Sequence, residues 1–143
     1  MLLILVFIFI TSCSSIDNNI DPNLMGTYNK FNNYYLLYTK YKSPTNIHIQ
    51  FVDIEDTNVA GYYNTIDDTT YIDRITWFST SIFYREALLF HEMGHHILRR
   101  KHNTELLYDG CPESLMYPHI NEPCYRKHKQ YYIEELFTIH DQF

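Results

Sequence analysis

The chain has 143 residues, 45% hydrophobic and 17% aromatic, which is enough apolar surface for one domain with a sizeable core, much of it supplied by fourteen tyrosines. A net charge of −6 and the lack of any basic stripe argue against a nucleic-acid partner. The one cationic cluster, Arg99, Arg100 and Lys101, follows a helix and fits its dipole.

Met1 to Ser12 is an apolar run ending in small polar residues, too short to span a bilayer and shaped like a signal peptide. Ile10, Thr11, Ser12 and Cys13 resemble the bacterial lipobox, in which the cysteine is lipidated and becomes the mature N-terminus. The usual Lys or Arg before the apolar run is missing, and an ordinary cleaved signal is the competing reading. The lipobox reading implies a signal peptide over 1–12, a lipid anchor on Cys13, a polar tether over 13–20 and one domain over 21–143. It places the protein in a bacterial cell envelope, anchored to a membrane and facing the periplasm or exterior. Export would leave Cys111 and Cys124 as an even pair in an oxidising compartment, where a disulfide would stiffen the loop CPESLMYPHINEPC. Two free thiols, or a cysteine that ligates a metal in a latent form, are the other readings of the pair.

Taken in order, Asp21 to about Lys42 predicts a first helix, with Asp21 as cap, Pro22 in the first turn, and Leu24, Phe31, Tyr34, Tyr35 and Tyr38 on one face. Ser43 and Pro44 end it. Ile47, Ile49 and Phe51 alternate as a strand does, leaving His48 on the polar side. Val59–Asn64 and Thr70–Phe78 read as two more strands around the turn TIDDT, and Gly61 allows a bulge or a close backbone approach. A closing helix is expected from near Pro123, with Tyr125, Tyr132, Ile133, Leu136 and Phe137 available for packing. These elements predict an α+β fold with a mixed β-sheet, an N-terminal helix, a central helix and a C-terminal helix.

The central helix carries the chemistry. SIFYREALLFHEMGHHILRR has Ser81 as N-cap, an apolar face of Phe83, Ala87, Phe90, Gly94 and Ile97, and a basic last turn. His91 and His95 lie one turn apart on one face, about 6 Å along the axis, so both imidazoles can reach one metal ion. Glu92 lies beside that face, as suits a carboxylate that takes a proton from water without ligating the metal. With eight histidines in the chain, an accidental motif on a surface helix is the alternative.

Ser114 to Pro118 reads SLMYP, about twenty residues after HExxH. HExxH followed by this string resembles the metzincin clan of zinc peptidases, and LMYP is similar to the methionine turn of the matrix-metalloproteinase branch. The resemblance implies a small metzincin-like catalytic domain with His91 and His95 as zinc ligands, Glu92 as general base and Met116 in the turn beneath the metal. It also implies a substrate pocket bordered by Pro118, His119 and Ile120. Two positions depart from the clan's HExxHxxGxxH: Leu98 replaces the glycine, and Lys101 stands at the third-ligand position, with His102 one residue on. His102 is the natural substitute, provided the helix ends near Leu98 to Arg100, because on a continuous helix it would sit about 16 Å above His91. Asn103 is a candidate for the left-handed turn. With His102 at this later place, the pattern from about residue 47 to 137 also resembles small bacterial lipoproteins described as metallopeptidases.

Glu134 or Glu135 from the closing helix is the rival third ligand, with Glu105, Asp109 and His119 behind them. His96, His128 and His140 are expected at the surface or around the site. Tyr117 is expected either to line the cleft and stabilise an oxyanion or simply to pack. The expectation is a monomeric endopeptidase with one catalytic Zn2+, acting on a peptide or protein laid along a sheet edge, with Glu92 taking the proton from a zinc-activated water. A lipid-anchored zinc-binding or adaptor protein without hydrolytic activity is the alternative.

Overall fold

Asp21 starts the first helix as expected: its carboxylate accepts from the Asn23 backbone N–H at 2.9 Å and Pro22 fills the first position of α1, Pro22–Thr39. The helix stops three residues before Lys42 because Lys40 turns left-handed, at φ 59°, and returns its N–H to the Leu36 carbonyl. The computed structural model describes residues 18–56 and 58–138. The expected signal peptide 1–12, Cys13 and His140 lie outside them.

Four strands make one mixed sheet in the order β1-β2-β4-β3: β1 Asn19–Ile20, β2 His48–Val52, β3 Gly61–Asn64 and β4 Thr69–Asp73. β1 and β4 flank β2 in parallel, and β3 pairs antiparallel with β4 and holds the edge. Asn19 and Ile20, expected in the tether, are instead the first strand. Asn18 anchors the sheet there, its side-chain oxygen accepting from Ile47 N–H at 2.9 Å.

The strand expected over Thr70–Phe78 ends at Asp73 and gives way to α2, Arg74–Ser79. The reason is Asp73 itself, whose carboxylate accepts from Thr76 N–H at 2.7 Å as a helix N-cap and from Ile54 N–H at 3.0 Å. Ser81, accepting from the N–H groups of Phe83 and Tyr84, opens α3, Ile82–His96. The closing helix is two: α4, Glu122–Lys127, and α5, Lys129–Phe137. His128 separates them at φ −116°, its ring drawn to the Asp109 carboxylate 2.7 Å away.

The core lies between the sheet and the helices. Phe31 of α1, Phe90 of α3 and Phe137 of α5 meet with ring centroids 4.9–6.4 Å apart, and Tyr38 stacks on Phe137. Each such buried ring contributes about 2–3 kcal/mol. Glu86, buried on α3, ties the layer together: it accepts from Tyr125 of α4 at 2.8 Å and from Lys30 of α1 at 3.2 Å, and pairs with Lys129 of α5. Between α3 and α4 runs an irregular segment closed by a Cys111–Cys124 disulfide, which points to an extracytoplasmic location. Among the described residues no helix is long and apolar enough to cross a membrane.

Candidate metal centre

His91 and His95 stand one turn apart near the end of α3, and the helix stops at His96. Arg99, and not Asn103, supplies the left-handed residue, at φ 55°; the chain turns there and Arg100 N–H donates to the Gly94 carbonyl at 2.9 Å. This reversal brings His102 back over the helix. The Nε2 atoms of His91 and His102 each lie 3.1 Å from His95 Nε2, and the three ligand atoms fall within 4.8 Å of one another.

Their protons lie on the other side of each helix ligand. His91 Nδ1 is 2.8 Å from the Leu115 carbonyl and His95 Nδ1 is 2.7 Å from the Arg100 carbonyl; a carbonyl only accepts, so both Nδ1 atoms carry hydrogen. Burial pushes His91 down to about 4 and also lowers His95, so near neutral pH both rings are uncharged and turn Nε2 lone pairs toward one another. Lone pairs at 3.1 Å repel unless a cation lies between them. Tetrahedral zinc with Zn–N bonds of about 2.0–2.1 Å sets its nitrogens about 3.3 Å apart, so the donor set fits such an ion. Two neutral imidazoles whose Nδ1–H groups are fixed by carbonyls are already in the ligating tautomer.

Glu92 is buried beside this cluster, and burial alone pushes its carboxyl up to about 8. Gly61 of β3 lies directly over it: a Cβ there would stand 3.3 Å from Glu92 Cγ and 3.0 Å from the Tyr71 carbonyl. A side chain at residue 61 would therefore have to push the strand and the helix apart by a few tenths of an ångström. A cleft of about 620 Å³ opens here, walled by Gly61–Tyr63 on one side and by Pro118, His119 and Ile120 on the other, with Tyr84 and Leu88 below.

Met116 is wholly buried under α3, with Gly94 on top of it. A Cβ on Gly94 would come within 2.4 Å of the Met116 sulfur and 3.3 Å of Leu136. Gly94→Ala is therefore expected to be destabilising: overpacking costs about 1–3 kcal/mol, more than the roughly 1 kcal/mol alanine gains in helix propensity. Thermal unfolding measures it, and a stability equal to or above wild type would show that Met116 yields freely.

Tyr117 does not line the cleft. Its N–H closes a turn on the Ser114 carbonyl, 3.1 Å, and the residue borders a small void beside Ala87, Pro112 and Asn121. The rival ligands are also placed elsewhere. Glu134 is exposed and accepts from Gln130, Glu135 is engaged by Arg100 and Ser114, Glu105 is exposed, and Asp109 binds Lys127 and His128. His119 is at the cleft wall outside the triad. Asp109, Cys111 and His128 form a second group of ligand atoms within 4.8 Å, but the Cys111 sulfur is bonded to Cys124.

His96 is a neighbour and not a ligand: buried, it shares a 2.9 Å hydrogen bond with Thr70 and stacks on Tyr63. No sequence pattern marked Tyr63, Asp68 or Thr70 as its partners, since they lie 26 to 36 residues away from the residues they hold at the end of α3. No family model, curated protein or solved structure compared with this chain matches it.

Proposed function

We propose that the protein is a zinc-dependent endopeptidase. The observation that carries this is the convergence of three histidine Nε2 atoms beside a buried glutamate outside the triad, in a cleft bordered by β3, the edge strand among the described residues. His91, His95 and His102 would hold the ion. A zinc ion held there supplies Lewis acidity, acidifying water and polarising a carbonyl. Glu92, ionised beside the bound cation, takes the proton from the attacking water and passes it to the leaving amine. The outer edge of β3, unpaired among the described residues, offers main-chain hydrogen bonds to an extended peptide, and the apolar wall of Tyr84, Leu88 and Ile120 accepts a side chain next to the scissile bond. In this reading Met116 and Pro118 shape the floor and rim of the site, as in the metzincin clan, and Cys13 anchors the domain to a bacterial envelope membrane.

The test is metal content and hydrolysis of a mixed peptide pool by the purified protein. One zinc per chain, with hydrolysis abolished by a chelator and restored by zinc, is expected. Stoichiometric zinc without hydrolysis of any peptide would instead mean a zinc-binding or adaptor protein.

A further inference from the structure

Metal ligands keep their aim through the groups that hold them. Here the holders of the two helix ligands are backbone carbonyls on two separate loop segments, Arg100 and Leu115, fifteen residues apart in sequence. Both residues lie outside helix and strand, so no helical or sheet ladder holds either carbonyl.

One side chain reaches both. Glu135, on α5, receives the Arg100 guanidinium on Oε1 and the Ser114 hydroxyl on both oxygens, at 2.9 and 3.0 Å, with the Leu115 N–H 3.4 Å from Oε2. Arg100 adds donations to the Glu135 and Leu136 carbonyls at 3.0 and 3.2 Å, at the C-terminal end of α5, where a cation is favoured. The Ser114 hydroxyl oxygen also accepts from Met116 N–H at 3.0 Å, and the Met116 carbonyl accepts from Asn103 N–H at 3.0 Å, next to His102. The loop that bears the third histidine is thus tied to the same turn.

We infer that Glu135 is a positioning residue for the metal site, fixing through Arg100 and through Ser114–Leu115 the two carbonyls that orient His95 and His91. This rests on the three-histidine site proposed above and not on its hydrolytic activity. The carboxylate is well suited to the task. Its side chain is 12% exposed, and its two oxygens face two segments that no other described ion pair joins. A charge-assisted pair holds its geometry more tightly than a neutral hydrogen bond does.

The experiment compares Zn2+ affinity, by chelator competition, and the visible absorption of the Co2+-loaded protein for wild type, Glu135→Gln, Ser114→Ala and Tyr132→Phe, all as the full chain. Glu135→Gln keeps the shape but loses the charge that holds Arg100, and is expected to weaken zinc by about 10–100-fold and to shift the Co2+ bands. Ser114→Ala cuts the Leu115 arm, together with the Met116 N–H bond to the same hydroxyl, and leaves the Arg100 pair in place. It is expected to weaken zinc by a smaller factor, and it decides the matter if Glu135→Gln does not fold. Tyr132→Phe removes the 2.6 Å hydrogen bond from the same helix to the Pro112 carbonyl of the same loop, touching neither orienting carbonyl. It is expected to lower thermal stability and leave zinc affinity and the Co2+ bands as in wild type. Wild-type zinc affinity and Co2+ bands in Glu135→Gln would overturn the assignment, and so would an equal loss of zinc in Tyr132→Phe. Wild-type protein that takes up no metal would remove the site itself.

Discussion

Glu92→Gln is expected to keep its zinc and to lose peptide hydrolysis by about 10²–10⁴-fold, the usual contribution of a positioned general base. Glutamine is the informative replacement because the space is tight. Glu92 Cγ lies under Gly61 and the side chain is buried, so an isosteric amide preserves the packing of α3 against β3, whereas alanine would leave a cavity between them. The amide cannot take a proton from water. Since Glu92 is not one of the three converging ligands, zinc content should stay at one per chain, and the loss should appear in kcat more than in KM. Comparing kcat/KM and bound zinc for the two proteins decides between roles. Hydrolysis at the wild-type rate would show that another group is the base, and loss of zinc would make Glu92 a ligand.

Local chemistry was legible in the sequence where it was governed by neighbours a turn away. Asp21 and Ser81 cap the helices that their spacing predicted, and His91, Glu92 and His95 fall as a helical HExxH requires. The requirement that α3 end before His102 was also readable, because straight-helix geometry forbids a shared ion otherwise. Which residue makes the turn was not. Arg99 adopts the left-handed conformation, although asparagine is the better intrinsic candidate, since tertiary contacts hold it: its guanidinium lies over Tyr63 and near Asp68. The same holds for Asp73. Its neighbours Ile72 and Ile75 suit a strand, but a side chain that caps α2 and also accepts from Ile54 decides the matter from outside the local pattern. Glu135 was visible only as a carboxylate within range of the metal. That it serves Arg100 and Ser114 depends on three segments meeting, which no periodicity encodes.

Removing the metal is expected to reverse how stability responds to pH. Without a cation the two buried groups pull in opposite directions. His91 has its folded pKa depressed to about 4 from 6.5, so between those values the unfolded chain binds the extra proton and stability rises with pH, the gain being complete by about pH 7.5. Glu92 has its folded pKa raised to about 8 from 4.5. The folded protein then holds a proton that the unfolded chain has released, and stability falls as pH climbs through that window. From pH 6.5 to 8 the Glu92 slope alone amounts to about 2 kcal/mol, offset in part below about pH 7.5 by the tail of the unfolded His91, His95 and His96 titrations, and the net fall is a few degrees in Tm. With zinc bound, the dication favours the Glu92 carboxylate and the neutral histidines alike, so stability should hold or rise over the same range. Zinc at roughly a thousandfold above its pH 6.5 Kd adds about 4 kcal/mol there, and the same zinc concentration adds more at pH 8, where a proton less often has to leave Glu92 for the ion to bind. Thermal unfolding of chelator-treated protein at pH 6.5 and 8 therefore separates burial of Glu92 from every other source of pH sensitivity, because Glu92→Gln should abolish the fall. Metal-free wild type that is as stable at pH 8 as at 6.5 would mean that the Glu92 carboxyl is solvated and ionised without the metal, so that the packing of β3 over it at Gly61 does not keep water out.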